Sequence, residues 1–325
     1  MTERIVPQIV NIELTNRCNL ACVFCDHARL KQSMEIGNFE DDLLLSLLES
    51  LTDHNIYEIG LVGLGEPLLD RNFERHLQII GSYKKNFQRI SLNSNAVALT
   101  EEKSNQILES CVNLVTFSLN ATNRLSYQRM MKKDLFGVVV ENIHRFLEIR
   151  NENQFHKTKV SIQFMSSDLN DQTEMEDLFV DYIDEDTIVY ERHVFQKSAI
   201  EEYVRNVVKV NKISTQVCHP CWSLYSRSYI DIEGNVYPCT MGNDSYRKQS
   251  TMNLGNIRDQ HLVDIFNNEL ITSARLKAEG MELAFDECLD CTLWELFPNN
   301  FVLEGDKWIF KGSKQLRKEE LDRKD

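Results

Sequence analysis

Three cysteines within eight positions form the densest group of reactive side chains in this sequence. Cys18, Cys22 and Cys25 follow directly on the apolar run 9–14. A loop that leaves a strand can fold back on itself, so three thiols at this spacing can point to one centre. A cubane iron–sulfur cluster has four irons that each take a ligand, and three local thiolates leave one iron open to a small molecule. The spacing therefore predicts a [4Fe–4S] cluster with one open iron.

Zinc is the alternative metal for this loop. A structural zinc site takes four protein ligands in a tetrahedral arrangement. Neither a fourth cysteine nor a nearby pair of histidines completes the loop, and His27 is the one neighbouring candidate. A zinc loop would need His27 or a distant cysteine as its fourth ligand.

The spacing Cys-x3-Cys-x2-Cys, with Phe24 directly before the third cysteine, resembles the cluster loop of the radical S-adenosylmethionine (SAM) superfamily. The resemblance implies that the open iron binds the amino and carboxylate groups of SAM. It also implies that a reduced cluster passes one electron to the sulfonium, which gives methionine and a 5′-deoxyadenosyl radical. That radical takes a hydrogen atom from the substrate. An electron donor such as flavodoxin or ferredoxin would be a partner.

The segment 63–67, Gly-Leu-Gly-Glu-Pro, resembles the Gly-Gly-Glu-Pro element of the same superfamily, with Leu64 in place of a glycine. By resemblance, Glu66 and the neighbouring backbone bind the amino group of SAM. Gly63 and Gly65 would let the backbone approach a ligand closely. From the residues alone, a simple strand-to-helix turn is the alternative.

Short polar side chains close the later apolar runs. Ser118 and Asn120 could hydrogen-bond a ribose or a carboxylate, Asn95 occupies the matching place one run earlier, and Gln163 could face an adenine. Ser and Asn also form turns and cap helices, which is the alternative role for these residues.

Strand-like and helix-like patterns alternate through the first two-thirds of the chain. Such alternation predicts a parallel sheet with right-handed crossovers, in which the strands' carboxyl ends carry the chemistry. Six units are too few for an eight-fold barrel. We therefore expect an α/β fold with a partial (β/α)6 TIM-like barrel over 1–210, the fold that this superfamily uses. The strands are predicted at 9–14, 56–63, 89–92, 114–119, 160–165 and 187–194, and the helices at 39–52, 73–83, 101–110, 138–150, 173–182 and 199–210.

A second group of cysteines follows the predicted barrel. A hairpin predicted between Tyr229 and Tyr237, around a Glu-Gly-Asn turn, would bring Cys218 or Cys221 close to Cys239. A helix is predicted over 262–276, before the last two. The group comprises Cys218, Cys221, Cys239, Cys288 and Cys291.

This order resembles the auxiliary-cluster extension called SPASM, in its shorter "twitch" form, which holds one further [4Fe–4S] cluster. By resemblance, the ligands are Cys239, Cys288 and Cys291 together with Cys218, in a small α+β domain over 211–300 that precedes a charged tail over 301–325. Cys221 would then be a spare thiol that could donate a hydrogen atom to a substrate radical. The reverse assignment, with Cys221 as ligand, stays open, as does zinc held by the two Cys-x2-Cys pairs.

Composition limits the cellular setting and the partners. The 325 residues carry a formal net charge of −14, which argues against a nucleic-acid or anionic-membrane partner. We find neither a secretory signal nor a run of apolar residues long enough to span a bilayer, so we expect a cytoplasmic protein. Nine cysteines in that reducing compartment indicate metal ligation or catalysis.

Within the resembled class, we expect an enzyme that oxidises or epimerises a small polyol such as a sugar or an aminocyclitol. The alternative is a maturase that crosslinks or epimerises a ribosomal peptide. Few residues precede the first strand to build the peptide-binding module that such enzymes often carry. A non-catalytic iron–sulfur or zinc protein is the second alternative, which the SAM-binding pattern around Glu66 disfavours.

Overall fold

The first six strands form a parallel array. The computed structural model describes residues 4–153, 155, 157–192, 208, 221–240, 250–289, 291, 301–304 and 307–310. One nine-stranded sheet has the order β6-β5-β4-β3-β2-β1-β7-β8-β9. Its strands are β1 (Ile9–Ile12), β2 (Glu58–Leu61), β3 (Arg89–Ser94), β4 (Leu114–Asn120), β5 (Lys159–Met165), β6 (Thr187–Arg192), β7 (Arg227–Ile230), β8 (Asn235–Tyr237) and β9 (Gly255–Asn256).

Helices cover the sheet, and their buried faces follow the apolar periodicity of the sequence. In the second helix, for example, Leu43, Leu44, Leu47 and Leu48 are buried behind two acidic residues of the first turn. The helices are α1 (His27–Leu30), α2 (Asp41–Ser50), α3 (Phe73–Ser82), α4 (Glu101–Glu109), α5 (Arg124–Met131), α6 (Phe136–Glu152), α7 (Gln172–Phe179), α8 (Ser223–Ser226), α9 (Leu262–Ile265) and α10 (Glu269–Glu279); short 3-10 turns lie at Pro67–Leu69, Lys84–Asn86 and Asp286–Cys288.

The predicted α/β fold with a parallel sheet is confirmed. All six predicted strands of the barrel region are present, as are five of its six predicted helices. The sixth helix, over 199–210, lies outside the described residues apart from residue 208. Helices α1 and α5 were not predicted from the sequence; they are short, at four and eight residues.

The second cysteine region continues the barrel's own sheet. Strand β7 pairs in parallel with β1, so that Ile12 lies opposite Ile230. The predicted hairpin is confirmed because β8 runs antiparallel to β7, with Tyr229 opposite Tyr237. Gly234 in its turn has φ +89°, a conformation that favours glycine.

Two details differ from the sequence-based expectation. The helix predicted over 262–276 is two helices, because the side chain of Asn268 accepts a hydrogen bond from the Ile271 N–H and starts α10 anew. Residues expected to begin a charged tail instead form an antiparallel strand pair, β10 (Phe301–Glu304) and β11 (Lys307–Phe310). Among the described residues, no helix has the length and apolar character needed to cross a bilayer.

Candidate cluster and cofactor site

The three N-terminal cysteines lie on the loop between β1 and α1, at the carboxyl end of the parallel strands. Cys18, Cys22 and Cys25 line a cavity of about 310 Å³. The same cavity wall contains every residue that the sequence predicted for cofactor binding, namely Gly63, Gly65, Glu66, Asn95, Ser118, Asn120 and Gln163. Parallel strands bring these distant positions to one edge, as the strand-end argument predicted.

The three thiols lie close together, an arrangement suited to binding a positively charged metal centre. Burial raises the pKa of Cys18 to about 12, and the nearby charges of Glu66 and Cys25 act in the same direction. Burial also raises the pKa of Cys22, as do the charges of Cys25 and Cys18. Three thiolates cannot coexist here without positive charge among them, and iron would supply that charge when it binds.

Glu66 lies at the base of the cavity, where it is buried at 3% exposure. Its carboxylate accepts hydrogen bonds from the Ser94 hydroxyl (2.8 Å), the Asn95 N–H (2.7 Å) and the Leu68 N–H (3.2 Å). Burial raises the pKa of Glu66 to about 7, although these hydrogen bonds act against that shift. The carboxylate is thus fixed in position and able to accept a hydrogen bond from a bound amino group.

The two glycines of the 63–67 segment make room for the protein's own atoms: Gly65 for the backbone of residues 15–17, and Gly63 for the Glu13 side chain. A Cβ on Gly65 would lie 2.0 Å from the Thr15 carbonyl oxygen, and one on Gly63 would lie 2.6 Å from the Glu13 Cβ. The Glu66 N–H donates to the Arg17 carbonyl at 2.6 Å. The cysteine loop therefore packs directly on this turn. The sequence alone suggested only that the two glycines let the backbone approach a ligand.

Glu13 is a supporting residue that the sequence reading missed. Its side chain is buried, and its Oε1 accepts hydrogen bonds from the Leu64 N–H at 2.6 Å and the Gly65 N–H at 3.3 Å. Its place within the apolar run 9–14 could have indicated this role, because a carboxylate on a buried strand needs hydrogen-bond donors.

The polar residues at the later strand ends form one hydrogen-bonded network. The Gln163 amide donates to the Ser118 hydroxyl (3.1 Å) and the Asn120 Oδ1 (3.3 Å), while the Tyr190 hydroxyl donates to the Gln163 Oε1 (2.9 Å). Asn120 has φ 63°, in the left-handed region. Arg192 also lines this cavity and was not predicted as a site residue.

Asn95 and His27 support the cysteine loop itself. The Asn95 amide donates to the Asn19 Oδ1 at 2.8 Å and lies 3.9 Å from the Cys18 sulfur. His27 is buried, and its Nε2 is 3.0 Å from the Asn16 carbonyl oxygen. Within the described part of the chain, no group of three or more His, Cys, Asp or Glu side chains converges on a single-ion site.

Four cysteines of the second group lie near one another. Burial raises the pKa of Cys288, and the charges of Cys239, Cys221 and Cys291 raise it further. Cys221 precedes α8, Cys239 follows β8, and Cys288 ends a 3-10 turn. Cys218, which the sequence reading favoured as a ligand, lies outside the described residues.

A residue next to the second cysteine group lines the cavity of the first site. Thr240, the residue after Cys239, lines the cavity that contains Cys18, Cys22 and Cys25. One cavity therefore borders both cysteine-rich regions.

Two curated relatives match this chain over most of its length. The tungsten-containing aldehyde ferredoxin oxidoreductase cofactor-modifying protein of Pyrococcus furiosus is 24% identical over 318 residues, which cover 87% of this chain and 86% of the relative. The S-adenosyl-L-methionine-dependent 2-deoxy-scyllo-inosamine dehydrogenase of Niallia circulans is 23% identical over 286 residues, which cover 87% of this chain and 92% of the relative.

The fold is similar to those of two solved proteins. SuiB of Streptococcus suis bound to S-adenosylmethionine has a TM-score of 0.63 at 16% identity, over 89% of this chain and 71% of SuiB. BtrN in complex with AdoMet and 2-DOIA has a TM-score of 0.56 at 17% identity, over 89% of this chain and 94% of BtrN. A further SuiB structure contains the precursor peptide SuiA. At these identities, the similarity establishes the fold alone.

Two family models match the chain, and together they span more than half of it. Residues 12–166 match the radical SAM superfamily, and residues 221–292 match the iron–sulfur cluster-binding domain called SPASM. The first match includes Cys18, Cys22 and Cys25, and the second begins at Cys221. The two domains imply SAM and two iron–sulfur clusters as cofactors. The chain therefore belongs to the radical SAM superfamily and carries a SPASM domain C-terminal to its radical SAM domain.

Proposed function

We propose that this radical SAM enzyme oxidises a small polyol, such as a sugar or an aminocyclitol, at one carbinol carbon. Epimerisation of the same substrate class is the second outcome, and it requires a thiol, such as a Cys221 that is not a cluster ligand, to return a hydrogen atom to the substrate radical. The relative from Niallia circulans is named as a dehydrogenase of an aminocyclitol, and its similarity extends over nearly the whole of both chains.

The observation that carries the proposal is the cavity shared by the two cysteine regions. Cys18 and Thr240, the neighbour of Cys239, line the same space of about 310 Å³. When bound, SAM and the clusters would supply hydrogen-atom abstraction at a carbon and an acceptor for the second electron. With loss of the hydroxyl proton to water, a carbinol could then become a ketone. An acceptor beside the substrate cavity suits a two-electron oxidation.

The chain's own residues would position the reactants. We assign Glu66 to the amino group of SAM, with Gly63, Gly65 and Asn95 shaping the same pocket. Ser118, Asn120 and Gln163 would hold ribose, adenine or substrate hydroxyls through a network that is already ordered. Preformed donors of this kind lower the cost of ordering a ligand.

For the auxiliary cluster we propose Cys221, Cys239, Cys288 and Cys291 as ligands. From the sequence alone, Cys218 is favoured in place of Cys221. The charges of the other three act on Cys288, and the SPASM match begins at Cys221. If Cys221 is a ligand, its sulfur cannot also serve as the hydrogen-atom donor.

Paired variants test this ligand assignment. Two [4Fe–4S] clusters give about eight irons per chain. We expect Cys221→Ala to retain about four and Cys218→Ala to retain about eight after anaerobic reconstitution. The reverse pattern would restore the first assignment, with Cys218 as ligand.

The function is tested with reconstituted enzyme, dithionite, SAM and 2-deoxy-scyllo-inosamine as the probe polyol. We expect 5′-deoxyadenosine and a ketone in equal amounts, and no 5′-deoxyadenosine from a variant with Ser at Cys18, Cys22 and Cys25. Release of 5′-deoxyadenosine without a ketone, across a panel of sugars and aminocyclitols, would count against a polyol dehydrogenase. Recovery of the inverted alcohol would indicate epimerisation.

Peptide modification is the second candidate function. The fold is similar to that of SuiB, for which a structure with its precursor peptide exists. A peptide substrate would be indicated if peptides, and not polyols, stimulated 5′-deoxyadenosine release and gained or lost hydrogen by mass spectrometry. With either substrate, the enzyme needs a reductant such as flavodoxin or ferredoxin, which we propose as its partner.

A further inference from the structure

A buried tyrosine lies behind the N-terminal cysteine loop. Tyr127 is 1% exposed, and its hydroxyl has no hydrogen-bond partner in the structure. A buried hydroxyl without a partner loses its hydration with nothing in exchange, so such groups are rare and call for a physical reason.

Helix α5 holds this tyrosine against the loop. The Val23 N–H donates to the Met130 carbonyl at 2.9 Å, and the Cys22 sulfur lies 3.1 Å from the Met131 sulfur. Tyr127, Met130 and Met131 are spaced as i, i+3 and i+4, so one face of the helix contacts the segment that contains Cys22.

The position of Tyr127 on the helix is well defined. The preceding Asn123 and Ser126 form a reciprocal capping box at the start of α5. The Tyr127 ring packs on Phe136, with ring centroids 6.0 Å apart. Burial raises the pKa of the Tyr127 hydroxyl, and the charges of Cys22 and Cys18 raise it further, so the hydroxyl lies near both thiols.

We propose that the Tyr127 hydroxyl donates a hydrogen bond to a sulfur of the cluster held by Cys18, Cys22 and Cys25, and so raises the reduction potential of that cluster. Hydrogen bonds to the sulfurs are one of the protein's means of setting such potentials. Reduction adds negative charge to the sulfurs, which strengthens a hydrogen bond from a neutral donor. Tyr127 is therefore a positioning and tuning residue, and it need not touch SAM or the substrate.

The test is an anaerobic redox titration of Tyr127→Phe, which removes only the hydroxyl. The signal followed is the EPR signal that responds to SAM, because it reports the N-terminal cluster and not the auxiliary one. We expect a lower midpoint potential, corresponding to a three- to tenfold shift of the equilibrium toward the oxidised cluster. A tenfold shift is 59 mV for a one-electron couple.

Tyr182→Phe is the matched control, because its hydroxyl donates to Glu148 at 3.2 Å, away from both cysteine groups. Its potential should equal that of the wild type. An unchanged potential in Tyr127→Phe, with iron content and SAM response intact, would overturn the proposal. Loss of the SAM-responsive signal from the wild type as well would instead count against the proposed cluster site.

A second measurement covers the case in which Tyr127→Phe fails to assemble its cluster. Wild-type enzyme containing 3-fluorotyrosine keeps every hydroxyl but makes it more acidic, and hence a stronger donor. We expect its midpoint potential to rise, opposite in sign to the effect of the Phe variant. A fluorotyrosine enzyme with the wild-type potential would also overturn the proposal.

Discussion

At the scale of single residues, the site depends on carboxylates that are buried before any ligand arrives. Glu66 accepts hydrogen bonds from Ser94, Asn95 and Leu68, and Glu13 accepts them from the N–H groups of residues 64 and 65. Glu66 was predictable because it lies in a recognisable segment. Glu13 was not, since a single acid in an apolar run does not indicate which backbone groups it will contact.

Replacing Glu66 with Gln should weaken SAM binding about 10- to 100-fold. Gln loses the charge-assisted hydrogen bond to the amino group, and its own NH2 faces N–H and O–H donors that the carboxylate accepted. Equilibrium dialysis of anaerobically reconstituted enzyme measures the effect. Glu58→Gln, at the opposite end of β2, is the matched control and should bind SAM normally. Equal loss in both variants would contradict the assignment.

SAM affinity should also depend on pH near neutrality. Burial raises the pKa of Glu66 to about 7, so below that pH the carboxyl of the ligand-free site is neutral. It must lose its proton before it can accept a charge-assisted hydrogen bond from the amino group of SAM. We expect the affinity to fall about tenfold per pH unit below pH 7 and to level off above it. Dialysis between pH 6 and 7.5 tests the slope, which Glu66→Gln should abolish.

At the scale of elements, the turn at 63–67 and the cysteine loop form one unit. A Cβ at Gly65 would meet the Thr15 carbonyl at 2.0 Å and the Arg17 carbonyl at 2.7 Å. Neither contact could have been inferred from the sequence, because both join residues about fifty positions apart. The motif in the sequence marks Gly65 as a site residue, and these two contacts explain why a side chain cannot be accommodated there.

Gly65→Ala should therefore displace the loop and destabilise the protein by about 2 kcal/mol or more. The measurements are denaturant unfolding and iron content, both of which should fall. Gly137→Ala is the control, because nothing lies within 4 Å of a Cβ at that position in α6. Alanine there should stabilise by up to about 1 kcal/mol and leave iron content unchanged. If Gly65→Ala left both the free energy of unfolding and the iron content unchanged, the loop and the turn would not be tightly packed.

At the scale of the whole molecule, the strand–helix alternation was sufficient to predict the parallel barrel region. The junction to the second region was not predictable, because the pairing of β7 with β1 joins strands more than 200 residues apart. Periodicity identifies β7 as a strand without indicating its neighbour.

That junction predicts how a truncated chain would behave. Without β7, the N–H and C=O groups on one side of β1 would lose their partners, and β1 would become an edge. We expect residues 1–192 to aggregate at concentrations where the full chain does not, as sedimentation velocity would show. A monodisperse, iron-loaded fragment would contradict this expectation.

The pairing of β1 with β7 also fixes a length. The loop with Cys18 leaves the carboxyl end of β1, whereas Cys221 precedes β7 and Cys239 follows the antiparallel β8, at the other end of the strand pair. The four residues of β1, about 13 Å at 3.3 Å per residue, therefore set the length between these two ends of the strand pair. Because backbone hydrogen bonds hold β1 and β7 in register, the spacing between these two ends does not depend on the conformation of a flexible linker.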